Sequence, residues 1–183
     1  MGFDNPDLDL AAAEEFVAAI DAIVPAHPQI ALRKVQITPA ATHLVDLVQA
    51  DDTPGSILIL NSALVTAATP PAPNATFAAT ARVCGRALIA AGAGYAPTLA
   101  HRTLIGLYLD SLDIRRRYDT LARVVRGYRT WLDREGLSNR EGQLDPMAAL
   151  EEAFLAVIRD GDSASRTAKA LYQVIVSAVY RAG

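Results

Sequence analysis

The residues with the clearest chemical character in this sequence are its arginines. Six of them fall within the fifteen residues from 115 to 129, and others lie on either side. An arginine guanidinium makes forked, charge-assisted hydrogen bonds to phosphate and carboxylate oxygens. The sequence therefore predicts a surface that contacts nucleic acid or a neighbouring subunit. The arginines assigned to this surface are Arg82, Arg86, Arg115, Arg116, Arg123, Arg126, Arg129 and Arg134.

A second chemical pair is formed by His43 and Asp46, three residues apart on what the local pattern predicts to be a short helix over residues 41–48. At that spacing the two side chains can form an acid–base pair or share a metal ion. Because no second pair of ligands accompanies them, we expect no metal site and no cofactor. His27, next to Pro28, is expected in a surface loop.

Catalytic motifs are missing from the sequence. It has no Gly-x-Ser-x-Gly elbow, no phosphate-binding loop and no His-Glu-x-x-His pair. The single cysteine, Cys84, lies on an apolar helix face between Arg82 and Arg86, so we expect it to be buried and not to act as a nucleophile. Gly92-Ala93-Gly94 is interpreted as a helix stop. The sequence thus predicts a protein that is not an enzyme.

Charge is distributed unevenly along the chain. Residues 1–52 carry nine acids against two bases, whereas residues 82–140 carry eleven arginines against five acids. Such segregation indicates pairing within the chain, pairing between subunits or binding to a polyanion. The preference for arginine, fifteen against two lysines, also follows from GC-rich codon usage with no functional meaning.

The central arginines are predicted to lie on one long amphipathic helix over residues 113–135. Its large apolar side chains follow a 4-3-4-3-4 spacing, which keeps them on one stripe that we expect to be buried. A helix of that length extends about 34 Å at about 1.5 Å per residue. The stripe consists of Ile114, Tyr118, Leu121, Val125, Tyr128 and Leu132.

Other helix boundaries are indicated by cap-and-proline signals. Asn5-Pro6 and Asp145-Pro146 each predict a helix start, Ser163 is expected to cap the last helix, and Asn74 the helix after the Pro-rich connector at residues 69–74. This connector separates an acidic part, residues 1–68, from an arginine-rich helical part, residues 75–183.

Strands are confined to one region in this interpretation. Gln29–Ile37 is partly alternating and β-branched, and Ser56–Leu60 is a continuous apolar run that suits a buried strand or a helix start. If both are strands, they can form a small parallel pair. The predicted fold is mainly α: a single-domain helical bundle of about six or seven helices over residues 1–183, with a short two-stranded element within 29–60 as an option.

These patterns favour a non-enzymatic structural subunit of a larger homo-oligomeric assembly, such as a coat or virion component of a virus or phage. Its arginine-rich helix would contact acidic neighbouring subunits, or RNA or DNA through the phosphates. The alternative is a helical regulatory or adaptor domain that binds a protein partner or small ligand, and a weaker one is a small enzyme that uses His43 and Asp46. The N-terminus lacks the order of a secretion signal and no apolar run could span a bilayer, so we expect a cytoplasmic or particle-associated protein with no membrane contact.

Overall fold

The computed structural model describes residues 7–49, 55–112, 120–139, 141 and 143–182. Backbone contacts divide the chain into two units, residues 1–91 and 92–183. Six α-helices and a three-stranded sheet occupy the described residues, which confirms a mainly helical fold with a short strand element. The Pro-rich connector at 69–74 lies inside the first unit, and a single domain over residues 1–183 stays a prediction.

The first unit begins with helix α1, Leu10–Ile23. The side chain of Asp9 caps it by accepting a 2.8 Å hydrogen bond from the backbone N–H of Ala12. The predicted start at Asn5-Pro6 lies outside the described residues, so the helix that the structure shows starts later. One face of α1 is buried, with Phe16 and Ile23 fully enclosed.

The sheet of the first unit consists of β1 (Leu32–Thr38), β2 (Val45–Gln49) and β3 (Ser56–Asn61), in the order β1-β3-β2. The parallel pairing of β1 with β3 confirms the predicted parallel pair. The predicted helix over 41–48 is wrong, because the chain there forms β2, antiparallel to β3. The apolar residues of this segment fit a helix locally, but pairing with the buried strand β3 decides their conformation.

Helix α2, Ala75–Ala91, follows the connector and packs against α1. Its first backbone N–H groups are held by the carboxylate of Glu15 on α1, which accepts hydrogen bonds from Asn74 (2.6 Å), Thr76 (3.1 Å) and Phe77 (3.4 Å). The first turn of a helix leaves such donors unsatisfied, and a negative charge there also complements the helix dipole. Glu15 thus provides, across a sequence distance of about sixty residues, the capping that the sequence assigned to Asn74.

The second unit contains α3 (Tyr95–Ser111), α4 (Leu121–Arg134), α5 (Pro146–Asp160) and α6 (Arg166–Ala182). Helices α5 and α6 pack together, and α3 packs against both. The largest fully buried side chains of this unit are Leu104, Leu132, Leu150, Phe154, Leu171 and Ile175.

The boundaries of α5 agree with the sequence. Asp145 accepts hydrogen bonds from the N–H groups of Met147 and Ala148 at 3.0 and 3.1 Å, and Gly161 ends the helix at a positive φ of 53°. The cap predicted for the last helix is wrong: Ser163 belongs to a short 3-10 turn, and Ser165 accepts the hydrogen bond from Ala168 N–H at 3.0 Å.

The predicted helix over 113–135 is too long. Thr120 has extended backbone angles, so α4 begins at Leu121, and residues 113–119 lie outside the described residues. Ile114 and Tyr118 lie outside the described residues. Among the described residues of the predicted stripe, burial is limited to the C-terminal end: Leu132 is 2 % exposed, whereas Leu121 is 78 % and Val125 is 42 % exposed. The reason is that the described contacts of α4 with α3 are made near its C-terminal end, through Tyr128 and Trp131.

Candidate anion-contact surface

Helix α4 carries a set of exposed guanidinium groups, here called the arginine surface, formed by Arg123, Arg126, Arg129 and Arg134. At about 100° per residue, Arg123, Arg126 and Arg134 lie within an arc of about 80° around the helix, and Arg129 lies beside Val125. Asp133 is the one acidic residue within Leu121–Arg134. The helix therefore presents a cationic side away from its buried residues.

Three of these arginines share one cleft in the second unit, with a volume of about 390 Å³. Arg123, Arg126 and Arg134 line it together with the aromatic rings of Tyr108 and Trp131. None of its lining residues within the described part of the chain is acidic. Low-polarity walls beside cationic groups strengthen electrostatic attraction relative to bulk water, so the cleft favours an anionic group.

Ion pairs among the described residues do not neutralise most of this surface. Within the part of the chain that the structure describes, Arg126, Arg129 and Arg134 form no ion pair with a carboxylate. Arg134, in the last turn of α4, is favoured there by the helix dipole. These three groups are thus accessible to an anion from another molecule.

Aromatic packing positions the arginine surface. The Tyr108 ring of α3 lies 5.5 Å from the ring of Tyr128 and 6.0 Å from that of Trp131, both on α4. A Cβ atom at Gly127 would overlap the Tyr108 hydroxyl, so the close approach depends on this glycine. Burial raises the pKa of Tyr128. These contacts fix α4 at its C-terminal end and leave its arginines in solvent.

The remaining predicted arginines lie elsewhere. Arg82, half-buried, and Arg86, exposed, are on α2 of the first unit. Arg115 and Arg116 lie outside the described residues. The structure therefore brings Arg123, Arg126 and Arg134 into one cleft and places Arg129 beside them on the same helix.

The pair predicted from His43 and Asp46 is formed, although not on a helix: His43 lies in the turn before β2 and Asp46 in β2 itself. His43 Nδ1 lies 2.9 Å from Asp46 Oδ1, while Oδ2 accepts hydrogen bonds from the N–H groups of Thr42 (2.8 Å) and His43 (3.1 Å). Burial by itself would raise the pKa of Asp46, but these hydrogen bonds outweigh it and lower the pKa. Asp46 therefore stabilises the turn that precedes β2, and together with His43 it can also take part in acid–base chemistry.

This pair borders a cavity of about 490 Å³ in the first unit, which Arg86 and Ser56 also line. The His43 side chain is 76 % exposed, so it lies at the mouth. Among the described residues no group of three or more His, Cys, Asp or Glu side chains could hold a metal ion. The cavity can hold a small polar ligand.

Two other titratable residues are buried in the first unit. His27 is 5 % exposed, so its predicted place in a surface loop is wrong, and its burial lowers its pKa. It lies between the end of α1 and a short 3-10 turn, where the fold covers it. Cys84 is 1 % exposed and burial raises its pKa to about 12, which confirms the predicted burial.

A further surface that the sequence interpretation missed lies on the outer face of α1. Apolar and acidic side chains alternate there, and we call this set, Leu10, Glu14, Val17 and Asp21, the acidic stripe. Leu10 is 70 % and Val17 is 40 % exposed, and the four residues line a shallow groove. Their 4-3-4 spacing was the available signal. It was overlooked because the stronger apolar face with Phe16 and Ile23 accounts for the helix.

No helix within the described residues is long and apolar enough to cross a membrane. Comparison of the chain with protein-family models, with curated proteins and with solved structures found no match.

Proposed function

We propose that this protein is a non-enzymatic structural subunit of a homo-oligomeric assembly, of the coat or virion-component kind. Its arginine surface contacts an anionic partner, either an acidic surface of a neighbouring subunit or a nucleic acid. The observation that carries the proposal is the exposed surface of α4 on which Arg126, Arg129 and Arg134 have no carboxylate partner within the described residues.

The guanidinium groups of Arg126, Arg129 and Arg134 have N–H donors that no carboxylate within the described residues uses. A guanidinium has five N–H donors in a rigid fork, suited to two oxygens of a carboxylate or phosphate. Several such groups along one helix bind a polyanion more strongly than one, because each contact releases counterions. An assembly brings many copies of the surface together, which multiplies a weak single contact by avidity.

The test is the mass of the native particle at low and moderate salt, together with its absorbance ratio at 260 and 280 nm. We expect a species larger than the monomer whose mass falls as salt rises, since screening shortens the reach of charges to about 10 Å at 0.1 M. A high absorbance ratio would identify nucleic acid as the anion. A monomer under all these conditions that binds no nucleic acid would overturn the proposal.

A matched pair of variants assigns the effect to the surface. Arg126→Gln/Arg129→Gln removes two charges from α4, and Arg166→Gln/Arg181→Gln removes two exposed charges from α6. We expect the first variant to lose the large species and the second to keep it. Equal behaviour of the two would show that net charge alone, and not this surface, drives association.

The second candidate is a protein that takes a small ligand, either as a regulatory or adaptor domain or as a small enzyme. It is favoured by the cavity of about 490 Å³ that His43 and Asp46 border. It predicts that a panel of small polar molecules includes one that raises the thermal midpoint. It also predicts that His43→Ala abolishes this rise and leaves the midpoint of the free protein nearly unchanged.

A further inference from the structure

We propose that neighbouring copies associate head to tail, with the acidic stripe of α1 in one copy seated on the N-terminal half of α4 and its arginines in the next. This inference rests on the proposed function and identifies the anionic partner of the arginine surface as a second copy of the chain.

The α1 side offers both contact types that such an interface needs. Leu10, Glu14, Val17 and Asp21 lie within an arc of about 60° around the helix. All four are exposed, and neither acidic residue has a basic partner within the described residues. An exposed row that mixes large apolar and acidic side chains is typical of a surface that is covered in a complex.

The α4 side has the same composition with the opposite charge. Leu121 and Val125 are 78 % and 42 % exposed, although both belong to an apolar stripe. At about 100° per residue, Arg129 lies about 40° from Val125 around the helix and Arg126 about 60° further on, so the two arginines flank one edge of this apolar pair. Because Leu132 at the other end of the stripe is buried inside the unit, the exposed half is available to a partner without any rearrangement.

The two surfaces are opposite in charge and similar in length. At about 1.5 Å per residue, the acidic stripe extends about 17 Å from Leu10 to Asp21, and the exposed half of α4 extends about 12 Å from Leu121 to Arg129. Two acids on one side can face two arginines on the other while the exposed leucine and valine side chains of the two helices are buried between them. Electrostatic complementarity of this kind sets register and partner choice, while apolar burial supplies much of the affinity.

A second copy explains the surfaces better than a nucleic acid does. Phosphates would satisfy Arg126 and Arg129, but they would leave Leu121 and Val125 exposed in the complex. A polyanion would also make no favourable contact with Glu14 and Asp21, so the acidic stripe would have no role. The intersubunit contact uses all of these residues at once.

Head-to-tail contact fixes the type of symmetry. In the head-to-tail arrangement, α1 of one copy meets α4 of the next, while α4 of the first copy meets α1 of a third, so the interface is heterologous, unlike a two-fold dimer in which the same two copies exchange both contacts. Such interfaces generate a ring when the rotation closes and a filament when it does not, and they do not stop at a two-fold dimer.

Two charge-reversal variants test the contact. In the first, Glu14→Arg/Asp21→Arg makes the stripe of α1 basic, and in the second, Arg126→Glu/Arg129→Glu makes the α4 surface acidic. In either variant alone, attraction between neighbours becomes repulsion, so we expect association at low salt to weaken by roughly tenfold or more. Circular dichroism checks that both variants are folded.

The decisive measurement is an equimolar mixture of the two variants. The basic α1 of the first variant then meets the acidic α4 of the second, and the acidic α1 of the second meets the basic α4 of the first. Both contacts are attractive, so particles in which the two variants alternate can form. We expect the mixture to recover the wild-type particle mass. The control variant Arg166→Glu/Arg181→Glu, altered on α6, is expected to associate like the wild type.

The other outcomes are separable. If the α4 variant loses association while the α1 variant assembles normally, the arginine surface binds something other than α1, so the inference fails while the proposed function stands. A raised absorbance ratio at 260 nm would then identify nucleic acid. If wild type and all variants are monomeric at every salt concentration and bind no nucleic acid, the proposed function itself fails. If both charge-reversal variants lose association and their equimolar mixture also stays monomeric, the head-to-tail contact is refuted.

Discussion

Glu15 in the first unit and the arginine surface in the second show two different uses of charge. The Glu15 carboxylate accepts three backbone hydrogen bonds at the start of α2, so its charge is used within the fold. Arg126, Arg129 and Arg134 have no such partner within the described residues. A charged side chain that satisfies backbone groups stabilises its own unit, whereas one without an internal partner is available for contact. The four predictions below test this difference.

The largest effect is expected from Leu132→Ala, compared with Leu121→Ala on the same helix. Leu132 is 2 % exposed, and truncation of a buried leucine costs about 2–5 kcal/mol, whereas Leu121 at 78 % exposure should cost less than about 0.5 kcal/mol. Urea unfolding followed by fluorescence of Trp131, the single tryptophan, measures the second unit. Equal losses would show that the arginine surface is not held by the buried end of α4.

Glu15→Ala is expected to destabilise the first unit by about 2 kcal/mol, because it leaves backbone N–H groups of α2 without an acceptor. The adjacent Glu14→Ala removes the same side chain from an exposed position and is expected to change stability by less than about 0.5 kcal/mol. Since Cys84 is buried, its reaction with a thiol reagent during urea unfolding reports on this unit. A similar loss in both variants would contradict the capping role.

His27 is expected to make the first unit sensitive to acid. Its folded pKa lies below the ordinary value of 6.5, so the unfolded chain binds a proton more readily, and stability falls as the pH drops through 6.5 towards the lowered folded pKa. Urea midpoints at pH 7.5 and 5.5, again followed through Cys84, measure this loss. In His27→Gln the part of the pH dependence that comes from this residue should disappear. An unchanged pH dependence would refute the assignment.

The smallest effect on stability is expected from Arg126→Gln/Arg129→Gln. Both side chains are exposed without carboxylate partners in the described part of the chain, so the free energy of unfolding of the second unit should change by less than about 0.5 kcal/mol. Urea unfolding in moderate salt, where association is screened, measures it through Trp131. A loss of 1 kcal/mol or more would show that these arginines serve the fold.

Local signals in the sequence predicted the features that depend on neighbouring residues. Asp145-Pro146 at the start of α5 was identified because a cap acts over only a few residues. The burial of Cys84 followed from the periodicity of its own helix.

Features set by distant contacts were predicted wrongly or missed. The segment around Asp46 fits a helix by spacing, and it is a strand because β3 lies beside it. The exposure of Leu121 depends on where α3 packs against α4. The spacing of apolar residues along α4 gives no information on that position. The capping of α2 by Glu15 joins residues about sixty positions apart, and no short motif records such a contact.

The Tyr108 hydroxyl lies so close to Gly127 that a side chain at this position would overlap it. A methyl group at residue 127 would have to displace the Tyr108 hydroxyl and with it the ring that packs on Tyr128 and Trp131. The absence of a side chain at this one position therefore allows the aromatic contact that holds the arginine-bearing helix.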